Sequence, residues 1–172
     1  MSVLLVLMLL ALVYAFWQSR RATREADRAN QEQLKKEPLY NAKEALRAGT
    51  NLARQKRYTE AIGEYDKSIQ FDPDNSTAYS NKGYAYIRNN QPKEAIKILE
   101  DLTRKDATFV LGHYNLALAY KISGNADSAA SEVDKVLELD KDTYCTTFKS
   151  DPSYKKWAPQ TPQYQNRCAG VQ

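Results

Sequence analysis

Apolar and polar positions divide the chain into three parts. Fifteen uninterrupted apolar residues run from Val3 to Trp17 with no charge among them. Over residues 18–37 the pattern reverses, because charged and small residues dominate and Leu34 is the single large apolar side chain. From residue 42 to residue 143, apolar positions recur at helical spacing in six segments separated by short polar breaks. The pattern predicts an all-α chain with an apolar N-terminus, a polar connection and a helical body.

Residues 1–18 are predicted to form a transmembrane anchor. A 15-residue helix is about 22 Å long, against about 30 Å of bilayer hydrocarbon, so flanking arginines must snorkel at its end. A cleaved signal peptide is the alternative, since Val13-Tyr14-Ala15 has the small-x-small pattern of a cleavage site. No Lys or Arg precedes the apolar run, which favours the anchor. The predicted anchor residues are Val3, Leu4, Leu5, Val6, Leu7, Met8, Leu9, Leu10, Tyr14 and Trp17.

The polar connection, residues 19–41, is predicted to be a helical stalk that ends at Pro38. Its residues are mostly strong helix formers, and Glu32–Lys36 is a helical i,i+4 ion pair. A flexible linker is the alternative. A helix that is polar on every side bridges solvent instead of packing in a core, so the stalk would hold the body away from the membrane.

Two signals disagree about the side of the membrane on which the body lies. The arginines follow the apolar run directly, and the positive-inside rule therefore places the body on the cytoplasmic side. Cys145 and Cys168 favour a periplasmic or other oxidising compartment, where they can form a disulfide. We expect the cytoplasmic side and keep the oxidising side as the alternative.

A period of 34 residues relates three stretches of the body, namely 42–75, 76–109 and 110–143. They align without gaps, and small residues fall in shared columns that let helix backbones approach each other. One unit alone cannot bury its apolar face, whereas three stacked units can. The small-residue columns are Gly49, Gly83 and Ala117, and Ala61, Ala95 and Ala129, while a third column holds the larger residues Tyr65, Leu99 and Val133.

These columns resemble the tetratricopeptide repeat over 102 residues. The resemblance implies three helix-turn-helix units in a right-handed superhelix, whose first helices line a concave groove. Such a groove binds a peptide segment or a helix of a partner protein. Asparagines in it can pair with a peptide backbone, tyrosines offer apolar area, and cations favour an acidic ligand. The implied groove residues are Arg47, Thr50, Arg54, Asn81, Tyr84, Arg88, Tyr114, Asn115, Leu118 and Lys121.

Some repeats of this family hold acidic C-terminal tails of heat-shock chaperones in a two-carboxylate clamp. The clamp requires Lys and Asn from the first unit, Asn from the second, and Lys and Arg from the third. The matching positions here carry Leu46, Thr50, Asn81, Leu111 and Asn115, so only Asn81 agrees. The sequence therefore predicts that the chain does not hold a chaperone tail in this clamp.

The last 29 residues are divided into a cap and a tail. Residues 144–157 are predicted to be a capping helix whose Phe148, Tyr154 and Trp157 cover the last unit, because terminal repeats need a cap. Residues 158–172 contain two prolines and few apolar residues, and are predicted to be extended or disordered. Cys145 and Cys168 are a possible disulfide.

Composition narrows the function to protein binding. The body, residues 42–143, carries 15 basic and 16 acidic residues, so it has no basic field for nucleic acid. His113 is the single histidine and falls in a packing column, which predicts a partly buried, hydrogen-bonded side chain. No catalytic constellation or glycine-rich phosphate loop is present in the sequence, so we expect no enzyme, cofactor, metal or small-molecule substrate.

The combined interpretation is a membrane-tethered interaction module that acts as an adaptor or assembly factor for a membrane complex. Its expected partners are a protein, through the groove, and the lipid bilayer, through one N-terminal span. Two alternatives are a permanent structural subunit of a membrane machine and a precursor-protein receptor on an organelle outer membrane.

Overall fold

A computed structural model describes residues 3–168, except for the side chains of Leu4, Leu5 and Lys35. Within these residues all regular structure is helical, as predicted. The elements are α1 (Val3–Arg54), α2 (Tyr58–Phe71), α3 (Ser76–Arg88), α4 (Pro92–Lys105), α5 (Val110–Ile122), α6 (Ala126–Leu139), α7 (Lys141–Ser150), a 3₁₀ turn (Ala158–Gln160) and α8 (Pro162–Cys168). The chain divides into two compact parts, Met1–Tyr40 and Asn41–Gln172.

In the N-terminal part, the large apolar side chains of residues 3–17 that the structure describes are exposed. No helix formed by the described residues is long and apolar enough to cross a membrane. The prediction of a spanning helix over residues 1–18 is therefore not supported. Met1, Ser2 and the side chains of Leu4 and Leu5, which that prediction includes, lie outside the described part of the chain.

The stalk residues 19–41 lie within α1, but the expected end at Pro38 is wrong. Helix α1 continues through Pro38 to Arg54, so the same helical run supplies the first helix of the body. A proline inside a helix removes one backbone hydrogen bond, and this local loss is not enough to end α1. The division between the two compact parts nevertheless falls close to Pro38, between Tyr40 and Asn41.

The body is built from three helix pairs. Residues 41–54 of α1 form the first pair with α2, α3 and α4 form the second, and α5 and α6 form the third. The second helix of each pair packs against the first helix of the next, and α3 also contacts α5. The predicted stacking of three helix pairs is therefore confirmed.

The turn inside each pair contains one residue with left-handed backbone. Lys56, Asn90 and Gly124 occupy the same position of the 34-residue period and have φ values of 62°, 60° and 86°. A left-handed residue commonly ends a helix, and glycine adopts this conformation without steric cost. The sequence signalled this turn clearly at Gly124 and weakly at Lys56.

Close approach of the two helices in a pair depends on matched volumes in two columns. A methyl group on Gly49 would lie 2.7 Å from the Tyr65 ring, and one on Gly83 would lie 2.5 Å from Leu99 Cγ. In the third pair the glycine is replaced by Ala117 and the opposite column carries the smaller Val133. The larger residue on the first helix of this pair is thus accompanied by a smaller side chain on the facing helix.

The C-terminal region is more ordered than predicted. Helix α7 begins at Lys141, before the expected cap start at residue 144, and the chain turns over residues 152–157 before the 3₁₀ turn. The prediction of an extended tail is wrong for residues 158–168, because α8 packs against α6 and buries Tyr164 and Cys168. Residues 169–172 of the predicted tail lie outside the described residues.

Candidate functional site

An open cavity of about 380 Å³ lies between the first two helix pairs. We name it the basic pocket, because three cationic side chains and no acidic ones line it. Its lining residues are Thr50, Ala53, Arg54, Lys56, Tyr58, Tyr65, Asn81, Tyr84 and Arg88.

The helix ends and the turn of the first pair place most of this lining. Arg54 is the last residue of α1, Lys56 is the left-handed residue of the turn, and Tyr58 begins α2. Tyr84 and Arg88 are one helical turn apart on α3, so both side chains lie on the same face. The 34-residue repeat therefore brings together residues from a helix end, a turn and a neighbouring helix.

Arg88 is held between two tyrosine rings. Its guanidinium carbon lies 5.8 Å from the ring centre of Tyr58 and 5.9 Å from that of Tyr84. Arg88 Nη1 donates a hydrogen bond of 3.3 Å to the Tyr84 hydroxyl. The charge interaction with Tyr84 is the main cause that raises the pKa of Arg88 above its usual value, so the side chain remains cationic.

Arg54 and Lys56 are exposed and form no ion pair within the described residues. Guanidinium and ammonium groups without a partner bind carboxylates through charge-assisted hydrogen bonds. The basic pocket therefore has the chemistry to receive an acidic group, with the rings of Tyr58 and Tyr84 beside it for apolar contact.

Five of the ten predicted groove residues line the basic pocket, and two others are exposed elsewhere. The five are Thr50, Arg54, Asn81, Tyr84 and Arg88. Arg47 is exposed and pairs with Glu44 at 3.0 Å, while the Lys121 ammonium lies 5.3 Å from the ring centre of Trp157. The sequence missed Lys56 and Tyr58. The break in helical periodicity at Lys56-Arg57 is the feature of the sequence that could have indicated these two residues.

The expectation of an open groove is wrong at Tyr114, Asn115 and Leu118, which are buried. Asn115 Nδ2 donates to Ser80 Oγ at 2.9 Å and so joins α5 to α3 instead of facing a ligand. Tyr114 lies under the C-terminal region, with its ring 4.2 Å from that of Tyr154 between centres. Burial is the main cause that raises the pKa of Tyr114 well above its usual value, followed by its hydrogen bond to Asp151.

His113 has the predicted structural role. Its Nδ1 lies 2.6 Å from Glu132 Oε2 and its Nε2 lies 3.1 Å from the Ala107 carbonyl oxygen, so both ring nitrogens have partners. The side chain is buried. Over residues 3–168, with the side-chain gaps noted above, no cluster of histidine, cysteine, aspartate and glutamate can hold a metal ion.

Cys145 and Cys168 form a disulfide, with their Cα atoms 5.7 Å apart. The bond joins α7 to α8, and the Tyr164 hydroxyl donates to the Cys145 carbonyl oxygen at 2.6 Å in the same place. Arg167 Nε donates to Asp134 Oδ1 at 2.5 Å and ties α8 to α6. The disulfide that the sequence made possible is therefore present in the structure.

The comparison with known families decides the classification. Models described as tetratricopeptide repeat match residues 52–113 and residues 112–143. The chain is a tetratricopeptide repeat (TPR) protein. Its repeats form a protein-binding domain without catalytic function, in agreement with the sequence-based expectation.

Curated relatives of this TPR protein include larger proteins. Hsp70-Hsp90 organizing protein 1 of Glycine max is 31% identical over 132 residues, which cover 75% of this chain and 21% of the relative. TPR repeat-containing thioredoxin TTL4 of Arabidopsis thaliana is 30% identical over 91 residues, covering 53% of this chain and 13% of the relative. The chain therefore spans about a fifth or less of the length of these two relatives.

Solved structures share the fold. The first TPR of Spaghetti (RPAP3) bound to the HSP90 peptide SRMEEVD has a TM-score of 0.61 and 19% identity, covering 74% of this chain and 94% of that one. The Sgt2 TPR domain from Aspergillus fumigatus has a TM-score of 0.61 and 21% identity, and the match covers 70% of this chain and 76% of that domain. At these identities the likeness establishes the TPR fold alone.

Proposed function

We propose that this TPR protein binds an acidic peptide segment of a partner protein and so acts as an adaptor or assembly factor. The observation that carries the proposal is the basic pocket, where Arg54, Lys56 and Arg88 converge without an acidic residue in the lining. A ligand carboxylate would be held by these cations, and the adjoining apolar atoms of the ligand would lie against Tyr58 and Tyr84.

The structural relatives support an acidic ligand but not the same set of contacts. The RPAP3 TPR was solved with the acidic peptide SRMEEVD. The clamp positions of this chain carry Leu46, Thr50, Leu111 and Asn115 in place of the expected charged and amide residues, and Asn115 is buried. We therefore assign carboxylate recognition to Arg54, Lys56 and Arg88, which lie at different positions of the repeat.

Fluorescence anisotropy with labelled synthetic peptides tests this assignment on the full chain. We expect SRMEEVD to bind and SRMQQVN, in which amides replace the three side-chain carboxylates, to bind about tenfold more weakly, which corresponds to about 1.4 kcal/mol. Arg54→Ala and Arg88→Ala should each weaken SRMEEVD binding by a similar factor, because each removes a charge-assisted hydrogen bond.

Lys97→Ala is the matched control, since Lys97 is an exposed cation on α4 that does not line the basic pocket. It should leave SRMEEVD binding unchanged. Equal binding of SRMEEVD and SRMQQVN, or unchanged affinity in Arg88→Ala, would contradict the assignment.

We also propose that residues 3–17 tether the protein to a lipid bilayer. The supporting observation is the exposed apolar surface, which includes Leu7, Leu10 and Phe16. Arg20 lies beside this surface, 4.8 Å from the centre of the Phe16 ring, where a cation can meet anionic headgroups. Contiguous exposed apolar surface of this kind is typical of membrane or protein contact sites.

Flotation with vesicles of phosphatidylcholine and the anionic lipid phosphatidylserine tests the tether. We expect the full chain to float with the vesicles, because burial of the apolar surface in lipid is favourable, and the double variant Leu7→Asp/Leu10→Asp to remain at the bottom. A control variant, Leu34→Asp, changes an exposed leucine outside the apolar run and should float normally. Equal flotation of the Leu7/Leu10 variant would exclude the tether.

For the position of the body we favour the oxidising side of the membrane over the cytoplasmic side first expected. Support comes from the Cys145–Cys168 disulfide, because such bonds persist in secretory or periplasmic compartments and are rare in the cytosol. Maleimide labelling of protein from its native membrane should then modify these cysteines after reduction and not before it.

A further inference from the structure

The face of α5 that would continue the groove is filled by another part of the chain. Residues 151–157, which we name the covering segment, follow α7 and form turns without regular helix. Tyr154 of this segment is completely buried. Its ring lies 4.2 Å from the ring of Tyr114 between centres, on a helix face that lines the ligand groove in the TPR pattern.

Two directional hydrogen bonds fix the covering segment on α5. The Tyr114 hydroxyl donates to Asp151 Oδ2 at 2.6 Å. The Tyr154 hydroxyl donates to the main-chain carbonyl oxygen of Tyr114. The face of α5 therefore offers two hydrogen-bonding groups to a bound segment. The Tyr114 hydroxyl donates to a carboxylate, and the Tyr114 carbonyl oxygen accepts from the phenol of a tyrosine three residues after that carboxylate.

The covering segment has the compact form of a bound turn. Asp151 Oδ1 accepts from the Ser153 backbone N–H at 2.7 Å, and Trp157 Nε1 donates to the Ser153 carbonyl oxygen at 3.0 Å. The Trp157 ring stacks on the Tyr154 ring, with the two centres 5.6 Å apart. The Lys121 ammonium lies over the Trp157 ring, 5.3 Å from its centre. The turn thus presents an acid, a phenol and an indole to one helix.

The covering segment borders a second cavity, which shares one residue with the basic pocket. A cavity of about 380 Å³ is lined by Ser153 of the segment together with Leu118, Ile122 and Arg88. Arg88 also lines the basic pocket. The two cavities therefore meet at Arg88, and a ligand that extended from the basic pocket into the second cavity would contact Ser153 of the covering segment.

We propose that the face of α5 around Tyr114 is a second peptide-binding site, selective for an acidic residue followed three residues later by tyrosine, and that residues 151–154 fill it in cis. A partner segment of the same chemistry displaces the covering segment and binds in its place. This site is separate from the basic pocket, because none of its polar contacts involves Arg54, Lys56 or Arg88.

The disulfide favours occupancy of the second site by the chain's own covering segment. Cys145 precedes the covering segment and Cys168 follows it, 23 residues later, so the bond closes a loop that contains the segment. A ligand held in such a short loop has a high effective concentration, which an external peptide must overcome. Opening the loop frees one end of the segment and lowers this concentration.

Anisotropy with the labelled peptide SDPSYKKWA, which copies residues 150–158, tests the proposal on the full chain. The oxidised wild-type chain should show no saturable binding, because its own segment occupies the site. The double variant Tyr154→Phe/Cys168→Ser should instead bind the peptide saturably, because its own segment is held more weakly. Tyr154→Phe keeps the buried ring and removes only the hydroxyl that donates to the Tyr114 carbonyl oxygen.

The matched control is Tyr164→Phe/Cys168→Ser. It opens the same disulfide and removes another buried phenol hydroxyl, the one that donates to the Cys145 carbonyl oxygen, without altering the contacts on α5. This control should bind the peptide several-fold more weakly than the Tyr154 variant. A peptide with Asn in place of Asp should lose at least tenfold in affinity for the Tyr154 variant.

Three outcomes would overturn the second site. They are the absence of saturable binding to a Tyr154→Phe/Cys168→Ser variant with unchanged circular dichroism, equal binding of the Asp and Asn peptides, and loss of helicity by the whole body in this variant. The last would show that the covering segment is part of the core. None of these outcomes bears on the SRMEEVD experiment, which reports on Arg54 and Arg88.

Discussion

Gly83 shows how a single missing methyl group sets the distance between two helices. A Cβ atom there would lie 2.5, 2.6 and 2.9 Å from three side-chain atoms of Leu99, which is fully buried. The third pair has Ala117 and Val133 at the same two positions. The volumes on the two helices are therefore complementary within each pair.

We expect Gly83→Ala to destabilise the body by about 1–3 kcal/mol, because an extra methyl group overpacks a filled core. Leu99→Val alone should cost about 1 kcal/mol through the lost methylene. The double variant, which copies the third pair, should cost clearly less than the sum. Urea unfolding of the four proteins gives the coupling free energy, expected at about 0.5–3 kcal/mol.

Gly63→Ala is the control for this cycle. Gly63 lies inside α2 and is exposed, and apart from the neighbouring backbone of α2 no atom lies within 4 Å of the position of an added Cβ. Alanine there should stabilise the body by about 0.5–1 kcal/mol, since it lowers the conformational entropy of the unfolded chain. Additive effects of Gly83→Ala and Leu99→Val would refute the volume argument.

At the scale of elements, the sequence correctly predicted the features that follow from the periodic pattern of apolar and small residues. The three helix pairs, their turns and the packing role of His113 all follow from columns that repeat every 34 residues. Pro38 misled the prediction because a helix boundary was inferred from one residue. Helix formers on both sides of it, and the packing of residues 41–54 against α2, keep α1 continuous.

The C-terminal elements depended on contacts that no local pattern encodes. Residues 158–168 contain few apolar residues, yet α8 is fixed by Tyr164, Arg167 and the disulfide of Cys168. The burial of Tyr114 follows from Asp151 and Tyr154, which are 37 and 40 residues away in sequence. A groove residue can therefore be assigned from the repeat register, but its exposure depends on what the rest of the chain places over it.

At the scale of the whole molecule, buried and partly buried tyrosines link stability to alkaline pH. Burial is the main cause that raises the pKa of Tyr65, Tyr114, Tyr120, Tyr144, Tyr154 and Tyr164. These residues extend from the first helix pair to α8, so no single element accounts for the effect. Two of them, Tyr114 and Tyr154, also form the hydrogen bonds of the covering segment.

The sign of the pH dependence follows from proton binding. In the unfolded chain these phenols titrate near pH 10, whereas in the folded chain they keep their protons to higher pH. Above about pH 10 the folded state therefore binds more protons than the unfolded state, and the free energy of unfolding falls as the pH rises. Below about pH 10 this contribution to stability is fully present.

We therefore expect the urea midpoint to stay constant up to about pH 10 and to decrease steeply above it. Tyrosinate absorbance should rise together with unfolding, because the buried phenols ionise only when they reach water. Tyr114→Phe should make the decrease shallower, while Tyr40→Phe, at an exposed position, should leave the profile unchanged. A midpoint that remains constant to about pH 12, or phenols that ionise while the body stays folded, would show that these tyrosines do not couple folding to pH.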